Sequence, residues 1–168
     1  METVDLKEAH TKLGFTRFET AQITAKANLL IANYQIFFHK LQNFHWNVVG
    51  GDFFDIHEVT EEMYKEALKN IDDVAERVRT FGNTPAYKLS GYLEESDITE
   101  VTHDMSGEYM VREIVSDIEV LLSCLIEVHE LAASNGDIAT KALIERITVS
   151  LEKQHWQLSA FVNQKYSE

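Results

Sequence analysis

His45, His57, Glu61, Asp72 and Glu76 are the side chains of this sequence best suited to holding a transition metal, two imidazoles and three carboxylates. Mixed nitrogen and oxygen donors suit Fe(II), Mn(II) or Zn(II) better than Ca²⁺ or Cu(I). His57 and Glu61 stand four residues apart, as do Asp72 and Glu76, so on a helix each pair projects from one face. If 53–82 forms one straight helix, the two pairs lie about 22 Å apart along it, and no single ion bridges that gap. A second copy can. Positions 57 and 76 share a midpoint with positions 61 and 72, between residues 66 and 67. Two such helices crossing antiparallel about a two-fold axis at that midpoint set His57 against the partner's Glu76, and Glu61 against the partner's Asp72. The contact gathers the ligands twice, once on each side of the axis. His45 ends the preceding helix, beside the start of the one that carries His57.

Each residue type alone says little. The chain has seven histidines, and a single one is more often an ordinary core or surface residue. The same stretch also carries Glu58, Glu62 and Glu66, and an acidic run at helical spacing is commonly a solvated face. The shared midpoint and the placement of His45 separate this set from that background. A di-iron site inside one bundle would need Glu-x-x-His on two helices and a Glu on each of the others. The strings Glu100 to His103 and Glu152 to His155 offer the motif, but the first falls in a connection. No Asp or Glu occurs between Thr20 and Gly51, so the first helix has no carboxylate to give. That layout is rejected, and Glu152 and His155 read as a polar patch beside Trp156.

The elements that must position the five residues follow from periodicity. Residues 1–16 form an N-terminal arm, and Thr16 with Glu19 reads as a capping box opening helix A over 17–48. Its apolar stripe runs through Ile23, Ala27, Leu30, Ile31, Tyr34, Phe37, Phe38 and Leu41. Gly50 and Gly51 supply the stop, and Asp52 is placed to cap helix B over 53–82, whose stripe includes Ile56, Val59, Met63, Ala67, Ile71, Val74 and Val78. The pattern weakens over 83–105, a crossover long enough to span a bundle, with room for a short helix near Ser90 to Glu95. Helix C over 106–134 and helix D over 137–165 follow, separated by Asn135, Gly136 and Asp137. Short, long and short connections predict an all-α protein, a ferritin-like four-helix bundle in a single domain over 1–168.

Composition narrows the function classes. One Pro, seven Gly and 45% hydrophobic residues leave little room for linkers or disorder. Neither a signal peptide nor a membrane span is legible, so a cytoplasmic protein is expected. Cys124, the single cysteine, falls in the apolar run 120–126 and reads as a buried, unreactive thiol. A formal charge of −13 opposes nucleic-acid binding by simple electrostatics. The first 18 residues do not reverse this, since Lys7, Lys12 and Arg17 are balanced by Glu2, Asp5 and Glu8.

The string Asn43-Phe44-His45-Trp46-Asn47-Val48, followed by Gly50, Phe53, His57, Glu61, Tyr64, Asp72 and Ala75-Glu76-Arg77, resembles the Dps family, the mini-ferritins. The resemblance runs through helices A and B and, more loosely, to Lys153 and Trp156 in helix D. It implies a hollow dodecameric shell with ferroxidase centres at its two-fold contacts. His45 with the partner's Asp72 and Glu76 would hold the firmer iron, and His57 with Glu61 a second, weaker one. The family often has Asp where Glu61 stands, so spacing and affinity at the second iron are open. Two Fe(II) ions side by side can pass two electrons to one H2O2, or serve O2, and the ferric product would be stored as mineral in an iron-storage role protecting against oxidative stress. Trp46, beside a ligand, could quench stray oxidising equivalents or simply pack in the interface. Tyr64 and Arg77 read as interface packing and ion pairing. Iron entry in the family follows acidic pores near the start of the last helix. Asp137 matches one such position, Ala142 stands at another, and Glu145 could substitute for it. Two other classes stay in view: a DNA-compacting stress protein, disfavoured by charge, and a non-catalytic assembly holding Zn or Mn.

Overall fold

A computed structural model describes residues 13–162. Most of the expected N-terminal arm, and residues 163–165 of the expected helix D, lie outside the described residues. Among the described residues five helices follow one another: α1 (Arg17–Asn47), α2 (Phe53–Thr80), α3 (Leu89–Glu95), α4 (Gly107–Ser134) and α5 (Ile138–Val162). α1 packs on α2, α4 on α5, and α1 on α4, while the short α3 lies against α1. This is the ferritin-like bundle of two helical hairpins joined by a crossover. Among the described residues, no helix is long and apolar enough to cross a membrane.

The helix ends show why the boundaries were legible. The capping box forms as expected: Thr16 Oγ1 accepts from the Glu19 amide at 3.2 Å, and Glu19 Oε2 accepts from the Thr16 amide at 2.7 Å. Such a cap is worth about 1 kcal/mol. α2 and α4 end alike. Gly82 and Gly136 take positive φ, +85° and +68°, and their amides bond back to Arg79 and Ala133. The next amides, of Asn83 and Asp137, reach Val78 and Ala132, closing a Schellman motif that glycine makes cheap. Asp52 departs from expectation. Its backbone lies at φ −93°, ψ 14° rather than in the extended region, and its side chain makes no cap hydrogen bond. Only its carbonyl serves α2, accepting from Ile56.

The core lies where the stripes predict, with Leu30, Phe37, Leu41, Ile114, Ile118, Leu121 and Leu125 fully enclosed. Phe38, Val59, Val115, Leu122, Leu143 and Phe161 are only partly buried and pack at its edge. Asn33 ties the crossover to α1: its Oδ1 accepts from the Asp97 amide at 2.7 Å and from Ser96 Oγ at 2.9 Å. Its amide nitrogen donates to Cys124 Sγ at 3.1 Å. Burial pushes the Cys124 thiol up from its ordinary pKa, which keeps it protonated and inert. The α1–α4 seam also encloses charge. Lys40, its side chain 2% exposed, sits 2.8 Å from Asp117 and 3.4 Å from Glu113.

Candidate metal centre

His45 and His57 come together at the α1–α2 corner through a reciprocal arrangement. His45 Nδ1 lies 2.8 Å from the His57 carbonyl oxygen, and His57 Nδ1 lies 2.8 Å from the His45 carbonyl oxygen. A carbonyl can only accept, so Nδ1 is the donor in each ring, and in the neutral imidazole Nε2 then keeps its lone pair for a metal. The geometry follows from the chain. Asn47 closes α1, so the carbonyl of His45 is among those left without an intrahelical amide. Gly50, at φ +108°, turns the chain back within a few residues and sets His57 against that carbonyl. The two rings stack with centroids 3.8 Å apart and planes 20° from parallel.

Two further aromatic contacts clamp the pair. Phe53 lies parallel to His57 at 5.0 Å, and Tyr64 meets His45 edge-on at 5.4 Å. Neither positioning contact was predicted from sequence for these rings, although both residues fall within the motif. Glu61, one turn after His57, has its Oε1 2.5 Å from the Lys65 ammonium. The hydrogen bond and charge of Lys65 hold the Glu61 carboxyl below the usual carboxylate range, with smaller contributions from His45 and His57. Glu61 therefore stands ionised, within electrostatic reach of both imidazoles.

Asp72 and Glu76 lie further along α2, exposed, and their carboxylates have no hydrogen-bond or ion-pair partner among the described residues. Among those residues, no three His, Cys, Asp or Glu side chains of the single chain group closely enough to hold a metal ion. The ligand set is divided by the length of α2: His45 at the end of α1 joins His57 and Glu61 near the start of α2, and two unpaired carboxylates lie near its end. Trp46, next to His45, is 67% exposed and points away from the core.

Asp137 is enclosed within the single chain, its side chain 1% exposed. Burial alone would raise its pKa, but hydrogen bonds from Thr140 and Arg77 outweigh that and lower it. Oδ1 accepts from the Thr140 amide at 3.0 Å, the N-cap bond of α5, and from Arg77 Nη2 at 2.7 Å. Arg77 also donates to Thr140 Oγ1 at 2.7 Å and stacks 4.3 Å above the Phe81 ring. The carboxylate holds the start of α5 to the end of α2. Glu145 is exposed, 3.1 Å from His129 and 3.7 Å from Lys141. Of the rejected strings, Glu100 and His103 are exposed in the crossover, while His155 faces Glu119 at 3.2 Å.

Comparison with known proteins agrees with this architecture. The ferritin-like domain model matches residues 24–165. DNA protection during starvation protein 2 of Bacillus anthracis is 39% identical over 143 residues, 85% of this chain and 98% of that protein. The DNA protection during starvation protein of Brevibacillus brevis is 41% identical over 135 residues, 80% of this chain and 91% of that protein. Among solved structures, the Dps protein of Vibrio cholerae, described as one of the ferritin-like diiron-carboxylate proteins, superposes with a TM-score of 0.89 at 32% identity, covering 92% of this chain and 98% of that one. The bundle, the crossover and these likenesses make the chain a member of the Dps, or mini-ferritin, family of ferritin-like proteins.

Proposed function

We propose that this protein is a cytoplasmic ferroxidase and iron store, oxidising Fe(II) at centres shared between two copies of the chain within a dodecameric shell. The observation that carries the reading is the division of ligands along α2, with metal-ready imidazoles at one end and unpaired carboxylates at the other. Crossing about residues 66 and 67 joins the two halves. His45 with the partner's Asp72 and Glu76 then holds one Fe(II), and His57 with Glu61 holds the second. Each iron gives up one electron. One H2O2 takes both, with two protons, and its oxygen–oxygen bond breaks to give two water molecules. Supplying both electrons from one site avoids release of a hydroxyl radical. Ionised carboxylates favour the ferric product because they compensate its higher charge. O2 is the alternative oxidant.

Oxidation followed by ferric absorbance in the near ultraviolet tests this. The native protein should oxidise added Fe(II) rapidly, and His45→Ala and Asp72→Ala should each slow it by about 100-fold or more. Equal rates in all three end the ferroxidase reading.

The curated relatives carry names that speak of DNA protection, which makes direct DNA binding the second reading. Removing iron and peroxide protects DNA without touching it, and a net charge of −13 repels phosphates. The protein should leave duplex DNA unshifted in electrophoresis at physiological salt. A reproducible shift that fades with added salt would restore the binding reading.

A further inference from the structure

The acids of α2 are not equivalent. Glu61 has the Lys65 ammonium 2.5 Å away, and Asp73 is paired with both Lys69 and Arg146. Asp72 and Glu76 carry no cation at all among the described residues. Of the three carboxylates assigned to metal, one is already neutralised by a tethered positive charge and two are bare. We propose that Lys65 is a resident counter-ion of the His57–Glu61 subsite, occupying it in the absence of metal and setting its lower affinity for a divalent cation. The inference rests on the functional reading above and assigns a positioning role to a residue that does not itself bind iron.

A divalent ion arriving at the partner's Asp72 and Glu76 meets two carboxylates that carry no cation from their own chain. One arriving at Glu61 must displace an ammonium or share a carboxylate with it, and pays Coulomb repulsion from a cation a few ångströms away. In the open chain the pair is weak, since Lys65 and Glu61 side chains are 63% and 40% exposed. Assembly changes that. Positions 65 and 68 share the same midpoint as the ligand pairs, so the crossing lays the aliphatic stem of Lys65 against the partner's Leu68, an exposed apolar side chain in the single chain. Covering the stem confines the ammonium to the Glu61 side. Loading is then ordered: the subsite with bare carboxylates fills first, and the His57–Glu61 subsite fills as Lys65 yields.

Zn(II), which is redox-silent, and anaerobic Fe(II) are the probes, titrated calorimetrically into the assembled native protein and its Lys65→Gln, Lys65→Arg and Lys69→Gln variants. The expected isotherm has two steps. In Lys65→Gln the weaker step should tighten about tenfold while the stronger step stays in place. Lys65→Arg, which keeps the charge, should retain the native weak step, and Lys69→Gln, whose acid is not a ligand, should change neither. An unchanged weaker step in Lys65→Gln overturns the proposal, as does equal tightening in Lys69→Gln, which would signal a general field. Failure of the parent reading is distinguishable, because then a His45→Ala and Asp72→Ala double variant takes up both metals as the native protein does. That result would sink the Lys65 role with it.

Discussion

Subunits bearing His45→Ala, mixed before assembly with subunits bearing Asp72→Ala, should recover about a quarter of the native ferroxidase centres, although neither variant alone has any. In a homodimer of either variant, both centres lack one ligand. In a mixed dimer the losses fall together: one centre lacks both His45 and the partner's Asp72, and the other draws both from unmodified positions. Random pairing makes half of the dimers mixed, each with one intact centre of two. Co-expression or co-refolding, with initial oxidation rates normalised to protein, gives the measurement. Recovery near zero, with mixed assemblies demonstrated by differently tagged chains, would mean that each centre is built from one chain. The same division of donors along α2 that leaves the single chain without a metal cluster makes rescue in trans possible.

The second large effect concerns stability. Replacing Asp117 by Ala should cost about 3–5 kcal/mol, because Lys40 is then left enclosed with only Glu113, 3.4 Å away. Replacing both partners, Lys40→Met with Asp117→Leu, should bring stability back to the native level or above it at neutral pH. Burial pushes the Asp117 carboxyl up to about 6, against the opposing pull of Lys40, so removal from water outweighs attraction. The sign of the pH dependence follows. The folded chain holds this proton more tightly than the unfolded chain, so its contribution is fully present below the ordinary value of 3.8 and is lost as pH rises through about 6. A shift of this size corresponds to about 3 kcal/mol. Denaturant titrations of native protein and Asp117→Asn from pH 4 to 7 should show this decline only in the former. A native curve parallel to that of the variant would exclude the assignment.

Local signals carried most of the architecture. Apolar residues at helical spacing and the paired stop glycines located α1, α2, α4 and α5 to within a few residues, since both act over a single turn. α3 was legible as a short helix because Gly91 and Ser90 do not prevent about two turns from packing on α1. What failed or went unseen depends on distant parts of the chain. Asp52 has the right side chain for a cap and the wrong backbone. Lys40 looks like a surface residue until Asp117, far along the chain, is brought across from α4. Asp137 matches a family position, but its burial depends on Arg77 arriving from α2.

The centre divides in the same way. The spacing of His57, Glu61, Asp72 and Glu76 on one helix is a sequence property, and their separation along α2 follows from it. The stacked imidazoles are not, because their contact depends on how sharply α1 turns into α2. Lys65 was available to a closer reading. Glu followed four residues later by Lys is a favourable helical pair, and here one member is a candidate ligand.

The mutual bonds between His45 and His57 give the short connection between them an unusual constraint. Elsewhere a loop can gain residues at small entropic expense. Here one residue inserted in the first turn of α2 would rotate His57 by about 100° about the helix and carry the second imidazole off the carbonyl that orients it. Chains that keep the chemistry are expected to keep the count between these histidines.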